Sequence, residues 1–194
     1  MKTINITIVG VTALLQHRFG EHSEVSVQKS TRRIAMQTDE TPRQAAEKVC
    51  YKNKDGQFYF PGAAIARLLR EAGGNHKLKN SRKSIKYIVP AAILVPQDTI
   101  IITNGDGKTP AKDFEVDSRP VVIPATKGRI MRHRPRFDNW SASFSVEVDD
   151  DMLPVEFIQQ LLTEGGSKIG IGDFRPEKGG PFGRFRVTEF KQQK

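Results

Sequence analysis

Apolar residues recur at regular spacing in five stretches of the chain, and these set the reading of the rest. Ile4, Ile6 and Ile8 alternate with polar neighbours, which predicts a strand over 3–9 with one buried face. Ala142, Phe144, Val146 and Val148 alternate with Ser141, Ser143, Ser145 and Glu147, which predicts a strand over 141–148. Ala64, Ile65, Leu68, Leu69 and Ala72 recur at helical spacing, so 62–72 reads as an amphipathic helix stopped at Gly73. Val155, Ile158, Leu161 and Leu162 mark a second helix over 154–164, entered at Pro154. Phe185 and Val187 mark a last strand over 183–190, with Arg184 and Arg186 on its other face.

Weaker signals fill the gaps. Thr41-Pro42-Arg43-Gln44 is a capping box for a short helix to about Cys50. Lys54-Asp55-Gly56 and Asn104-Gly105-Asp106-Gly107 read as turns. Residues 114–123 and 128–133 read as strands, and 13–36 as a hairpin or loop excursion. The main elements, with 114–123 as second strand, run β-α-β-β-α-β. That is the order of a ferredoxin-like (RRM-like) α+β fold. A single domain over 1–194 is expected, with an insertion of about 75–113 between the first helix and the second strand.

Composition narrows the partners. Of 194 residues, 31 are Lys or Arg and 22 are Asp or Glu, a net charge of +9. Such a surplus attracts polyanions. No apolar run reaches the ~18 residues needed to span a bilayer; the longest, 88–95, is interrupted by Pro90. No membrane partner is expected. Cys50 is the only cysteine, so no internal disulfide forms, and a cytoplasmic location is expected. His17, His22, His76 and His133 are scattered, with no metal-ligand spacing, so no metal or cofactor is expected. Asp149-Asp150-Asp151 reads as a solvated turn whose charge favours the helix start that follows.

The positive charge is grouped. The densest run holds Lys127, Arg129, Arg132, His133, Arg134 and Arg136, followed by Phe137 and Trp140. Guanidinium forks suit phosphate, whereas the two aromatics read as core. A solvated strand would account for the same charges. A second group, His76, Lys77, Lys79, Arg82, Lys83 and Lys86, falls in the expected insertion. His17, Arg18, Arg32 and Arg33 lie in the early excursion. A third feature is the glycine-rich loop 170–183 feeding the last strand, where exposed amides with Arg175, Lys178 and Arg184 suit phosphates. A long hairpin loop is its plain alternative.

Two motifs together resemble the RAMP superfamily of CRISPR RNA-binding proteins. Phe60-Pro61-Gly62-Ala63-Ala64-Ile65-Ala66-Arg67-Leu68-Leu69-Arg70 is similar to the family's Pro-Gly-Ser-Ser-Leu-Lys-Gly-x-x-Arg helix start. Gly179-Gly180-Pro181-Phe182-Gly183-Arg184 is similar to its glycine-rich loop, which ends in Gly-aromatic-Gly-Arg. The closest group is the backbone subunit that polymerises along CRISPR RNA. The resemblance implies a non-catalytic binder of single-stranded RNA, assembling as a homo-oligomer with other effector-complex subunits. Gly62, Arg67 and Arg70 would contact the strand. The motif's serines and lysine are Ala63, Ala64 and Ala66 here, which removes their phosphate contacts. Asp39 lies where related subunits carry a cleaving aspartate, but its surroundings do not match, so no cleavage is implied.

Other functions stay open at this level. A metal-independent CRISPR-RNA-processing ribonuclease would use His17 or His22 as general base. A phage or mobile-element relative would bind single-stranded DNA. A structural or ribosome-associated protein would need only the charge.

Overall fold

Ile4, Ile6 and Ile8 lie at the centre of the main sheet, each at most 1% exposed. Their strand, β1 (Lys2–Gly10), is paired antiparallel on one side with β9 (Trp140–Val148) and on the other with β10 (Phe185–Gln192). Two short strands, β4 (Ile93–Leu94) and β6 (Thr103–Asn104), pair antiparallel with the far side of β9. The order is β10-β1-β9-β4. The structure, a computed structural model, describes residues 1–19, 40–77, 82–122 and 128–193.

One face of this sheet is apolar because every second residue of β1 and β9 is. The longer helices are α1 (Pro42–Lys48), α2 (Gly62–Ala72) and α3 (Val155–Lys168). Ile65, Leu68 and Leu69 of α2 join Ile158, Leu161 and Leu162 of α3 and the sheet's isoleucines in one core. The capping box that opens α1 forms as expected: the Thr41 hydroxyl accepts from the Gln44 N–H, and the Gln44 side chain accepts from the Thr41 N–H. α3 does not stop at Glu164 but runs four residues further, through Gly165-Gly166. The glycines are there for contact. A Cβ on Gly165 would lie 2.3 Å from Leu68 Cδ2, and one on Gly166 would lie 2.5 Å from the Phe185 carbonyl oxygen. Helical propensity is sacrificed so that α3 can sit against α2 and β10.

The second core strand is not where the sequence pattern put it. β7 (Glu115–Val122) pairs with β8 (Arg129–Phe137) and, through it, with β2 (Leu14–Leu15), in a separate sheet of order β2-β8-β7. Only Asp117 of β7 is buried, and Pro120 cannot donate to a ladder, so β7 suits an edge and not a core position. Beside β9 lies the short Ile93–Leu94 strand instead, with Ile93 opposite Val148. The strand expected over 128–133 extends to Phe137. A third, two-stranded sheet joins β3 (Tyr59–Pro61) to β5 (Thr99–Ile101).

Phe137 and Trp140 are core, at 5% and 1% exposed. Asp150 pairs with Lys2 and accepts from the Val155 N–H at the start of α3, a capping use of the acidic run. Among the described residues no helix is long and apolar enough to cross a membrane. Cys50 is 4% exposed, and burial pushes its thiol up to about 12. The thiolate is the reactive form. Native protein should therefore resist a disulfide reagent near neutral pH while unfolded protein titrates one thiol; fast native labelling would mean that α1 opens.

Candidate nucleic-acid interface

The helix-start motif and the first half of the glycine-rich loop, 169–177, face each other across a cleft of about 250 Å³, which the Gly179–Arg184 motif itself does not line. One wall is the start of α2, with Pro61, Ala64 and Arg67. The other is the glycine-rich loop from Ile169 to Glu177, and residues 14–17 form the back.

The loop is built for tight approach. Gly170, Gly172, Gly179 and Gly183 all have positive φ, as does Phe174. At Gly183 a Cβ would lie 1.8 Å from the Ile171 carbonyl oxygen. The chain closes on itself through Ile171 N–H to Gly183 O at 3.0 Å. It is laced to the back wall by Gly183 N–H to Ala13 O and Asp173 N–H to Leu15 O, both 2.8 Å. These amides are already bonded, so the glycines serve the loop's own packing. Gly62 is similar. Its N–H donates to Asp98 O at 3.0 Å, and a Cβ there would lie 1.9 Å from Gln97 O.

Charge in the cleft is balanced by two carboxylates that the charge count does not reveal. Arg67 and Arg175 both bind Glu177, at 2.9 and 2.7 Å, and Arg175 also donates to Gly172 O at 2.9 Å. Burial works against ionising Glu177. The hydrogen bonds from Arg175 and the charge of Arg67 prevail and hold the carboxyl below its usual range. Arg134, 5% exposed, lies 2.7 Å from Asp173, an ion pair whose angle is not that of a hydrogen bond. Half-exposed pairs such as Arg67–Glu177 are worth about 0–1 kcal/mol. A phosphate could therefore take over Arg67 at little cost.

The basic run of β8 splits by face. Arg132, Arg134 and Arg136 alternate along one side of the strand: Arg132 donates to His17 Nε2 at 2.7 Å, Arg134 meets Asp173 of the loop, and Arg136 binds Asp138 in the turn to β9. Arg119 of β7 binds Asp117 and lies over the Phe182 ring at 4.7 Å. On the opposite face Arg129 is exposed and His133 Nδ1 meets Ser118 Oγ at 2.7 Å. β8 is thus the middle strand of its sheet, and much of its charge is spent internally.

His17 sits in the cleft with its Nε2 accepting from Arg132, which assigns the ring proton to Nδ1; that atom is buried without a partner. Burial first, then the charge of Arg132, lower its pKa from the ordinary 6.5. The unfolded chain then binds more protons than the folded one between the lowered value and 6.5. Stability from this site is complete above 6.5 and falls as the pH drops through that window. A His17→Gln variant should show a flatter melting temperature between about pH 8 and about pH 5. An unchanged slope would place the titration elsewhere.

The remaining sequence candidates are dispersed. Arg70 pairs with Glu71, and Arg18, Lys178 and Arg184 are exposed, Arg184 donating to Ser167 O at 2.6 Å. Lys77, Arg82 and Lys83 are exposed near the far end of α2. His22, Arg32, Arg33, Asp39, Lys79 and Lys127 lie outside the described residues. The cleft also holds residues that sequence reasoning passed over. Gln16 is 2% exposed and clamps the back wall, donating to Tyr59 O at 2.7 Å and accepting from the Tyr51 N–H at 3.0 Å. Asp173 and Glu177 could have been found as the only acids within the arginine-bearing loop.

No family model matches the sequence, and no curated protein matches it. Among solved structures, the chain overlays over its full length a chain from "Type III-B Cmr-beta bound to cognate target RNA", with a TM-score of 0.56 and 8% identity. The chain shares its fold with that Cmr-beta chain. It spans 61% of the length of that Cmr-beta chain. Lower scores, 0.49 and 0.46, relate it to a chain of a Type IV-B CRISPR complex and to Cmr6 from Pyrococcus furiosus. Both are 12% identical; the overlays cover 97% and 96% of this chain, and 90% and 98% of theirs.

Proposed function

We propose that the chain is a non-catalytic subunit of a CRISPR-type ribonucleoprotein that holds single-stranded RNA by its backbone and assembles as a homo-oligomer along the strand. The observation that carries this reading is the cleft, where Arg67 of the helix start and Arg175 of the glycine-rich loop meet on one carboxylate, Glu177, that a phosphate can displace. The order β10-β1-β9-β4, antiparallel throughout with both long helices in one core layer, supports a ferredoxin-like core to which the separate sheet of β2, β8 and β7 is an addition. The Cmr-beta chain of like fold comes from an assembly bound to target RNA.

A binding role without cleavage is favoured by His17. A general base needs a lone pair free for the substrate, and Arg132 occupies the one on Nε2. Incubating repeat RNA with the protein in EDTA tests the ribonuclease reading; cleavage lost in His17→Ala would establish it.

The binding role is tested by purifying the protein from the cytoplasm of its host without nuclease. The reading expects large particles with nucleic-acid absorbance that RNase, and not DNase, reduces. DNase-sensitive particles would turn the proposal to single-stranded DNA, and a monomer free of nucleic acid would overturn it.

A further inference from the structure

The cleft is not the only exposed positive feature that lies on α2. Between Glu71 and Asp98 the sequence has five Lys or Arg residues and no acid. The described part of this segment folds back on the far end of α2. The Lys77 and Ser84 backbones bridge, the Ile85 N–H donates to His76 O at 3.0 Å, and the Ser84 hydroxyl donates to Gly73 O at 3.0 Å. Ile85 is buried and pins a single 3-10 turn, Ile85–Tyr87, against the core.

That turn ends in Tyr87, which is 79% exposed, the most exposed of the large apolar side chains among the described residues. A solvated tyrosine ring held on an anchored turn, with Lys77 and Arg82 exposed on the same fold-back, has no role in the core. It has the composition of a stacking platform: a rigid aromatic for a base and cations for the phosphates on either side.

The two regions are joined. A groove of about 410 Å³ runs along the outer side of α2, lined by Ala63, Ala66, Arg67, Arg70, Val89 and Pro90. Arg67 lines both this groove and the cleft. Val89 and Pro90 follow Tyr87 by two and three residues. Ala63 and Ala66 line the groove with short side chains. The helix of 11 residues sets a span of about 15 Å between the two regions.

We infer that Tyr87 is a second contact for the same single strand, stacking on a base at the far end of α2 after the strand has left the cleft. This rests on the proposed binding of single-stranded RNA. Lys77 and Arg82 meet the flanking phosphates. The contact reads no sequence, because every base offers a face to stack on.

Oligouridylates of about two and about sixteen nucleotides separate the two contacts, the first too short to leave the cleft and the second reaching Tyr87. Affinity is read by anisotropy on the full chain. Tyr87→Ala should weaken the long oligomer about tenfold and leave the short one unchanged. The ring is exposed, so folding should be intact. Tyr87→Trp should restore affinity, and its emission should be quenched by the long oligomer only, since Trp140 is the sole native tryptophan and is buried. Full affinity of Tyr87→Ala for the long oligomer, with an unquenched Tyr87→Trp, overturns the inference while wild-type binding upholds the cleft. A changed oligomeric state of Tyr87→Ala with unaltered affinity also overturns it, because the ring would then meet another copy of the chain. Wild-type protein that binds neither length removes the cleft reading and this inference together.

Discussion

Replacing Gly183 with alanine should collapse the wall of the cleft and cost the protein about 3 kcal/mol or more. Two penalties add at this position. The backbone has φ of +70°, where an L side chain costs about 1–2 kcal/mol. The new Cβ would also lie 1.8 Å from the Ile171 carbonyl oxygen, a backbone atom that cannot swing away. Relieving that overlap means breaking the Ile171–Gly183 and Gly183–Ala13 hydrogen bonds that close the loop. Gly179 is the internal control. Its φ is +76°, but nothing lies within 4 Å of a Cβ there, so Gly179→Ala should lose only the backbone penalty, about 1 kcal/mol. In thermal melts the two variants should fall by about 10 °C and about 3 °C. Equal shifts would mean that the loop adjusts freely and is not the close-packed wall described.

Arg67→Glu should give the largest loss of binding at the smallest loss of stability. The side chain is 45% exposed and lines both the cleft and the groove, so its removal disturbs no core. Reversal sets a new carboxylate beside Glu177, and Arg175 alone then faces two negative charges. Affinity for single-stranded RNA should drop by more than about tenfold for any sequence. The log–log salt slope should lose about 0.7, the share of one phosphate on a single strand. The melting temperature should move little, because half-exposed ion pairs contribute about 0–1 kcal/mol. Wild-type affinity in Arg67→Glu would separate the cleft from the strand altogether.

The elements legible in the sequence were those with a long periodic signal. β1 and β9 alternate over eight or nine residues, α2 carries a five-residue apolar stripe, and the capping box of α1 is a local code. The strand beside β9 was hidden because Ile93–Leu94 is two residues long and has no period. The 114–123 stretch carries the more regular pattern, although its polar alternation suits the edge of a separate sheet. The end of α3 was hidden for another reason. Gly165-Gly166 looks like a stop in one dimension and is a contact surface in three.

The site shows the same division. The loop, the helix start and their arginines were visible as residue types. Their pairing was not, since Asp173 and Glu177 neutralise cations that are near or far in sequence only according to the fold. Net charge therefore overstated the free positive surface of β8, where three arginines turn toward internal partners. It understated the fold-back that carries Lys77, Arg82 and Tyr87, which a sequence reading sees as a polar connection.

The most direct test of the account is a titration of single-stranded RNA against the purified chain at increasing salt. Binding should be tight at low salt, and log affinity should fall linearly with log salt, with a slope near −0.7 for each phosphate neutralised. Affinity that is absent at low salt, or that is unchanged between low and moderate salt, would contradict it.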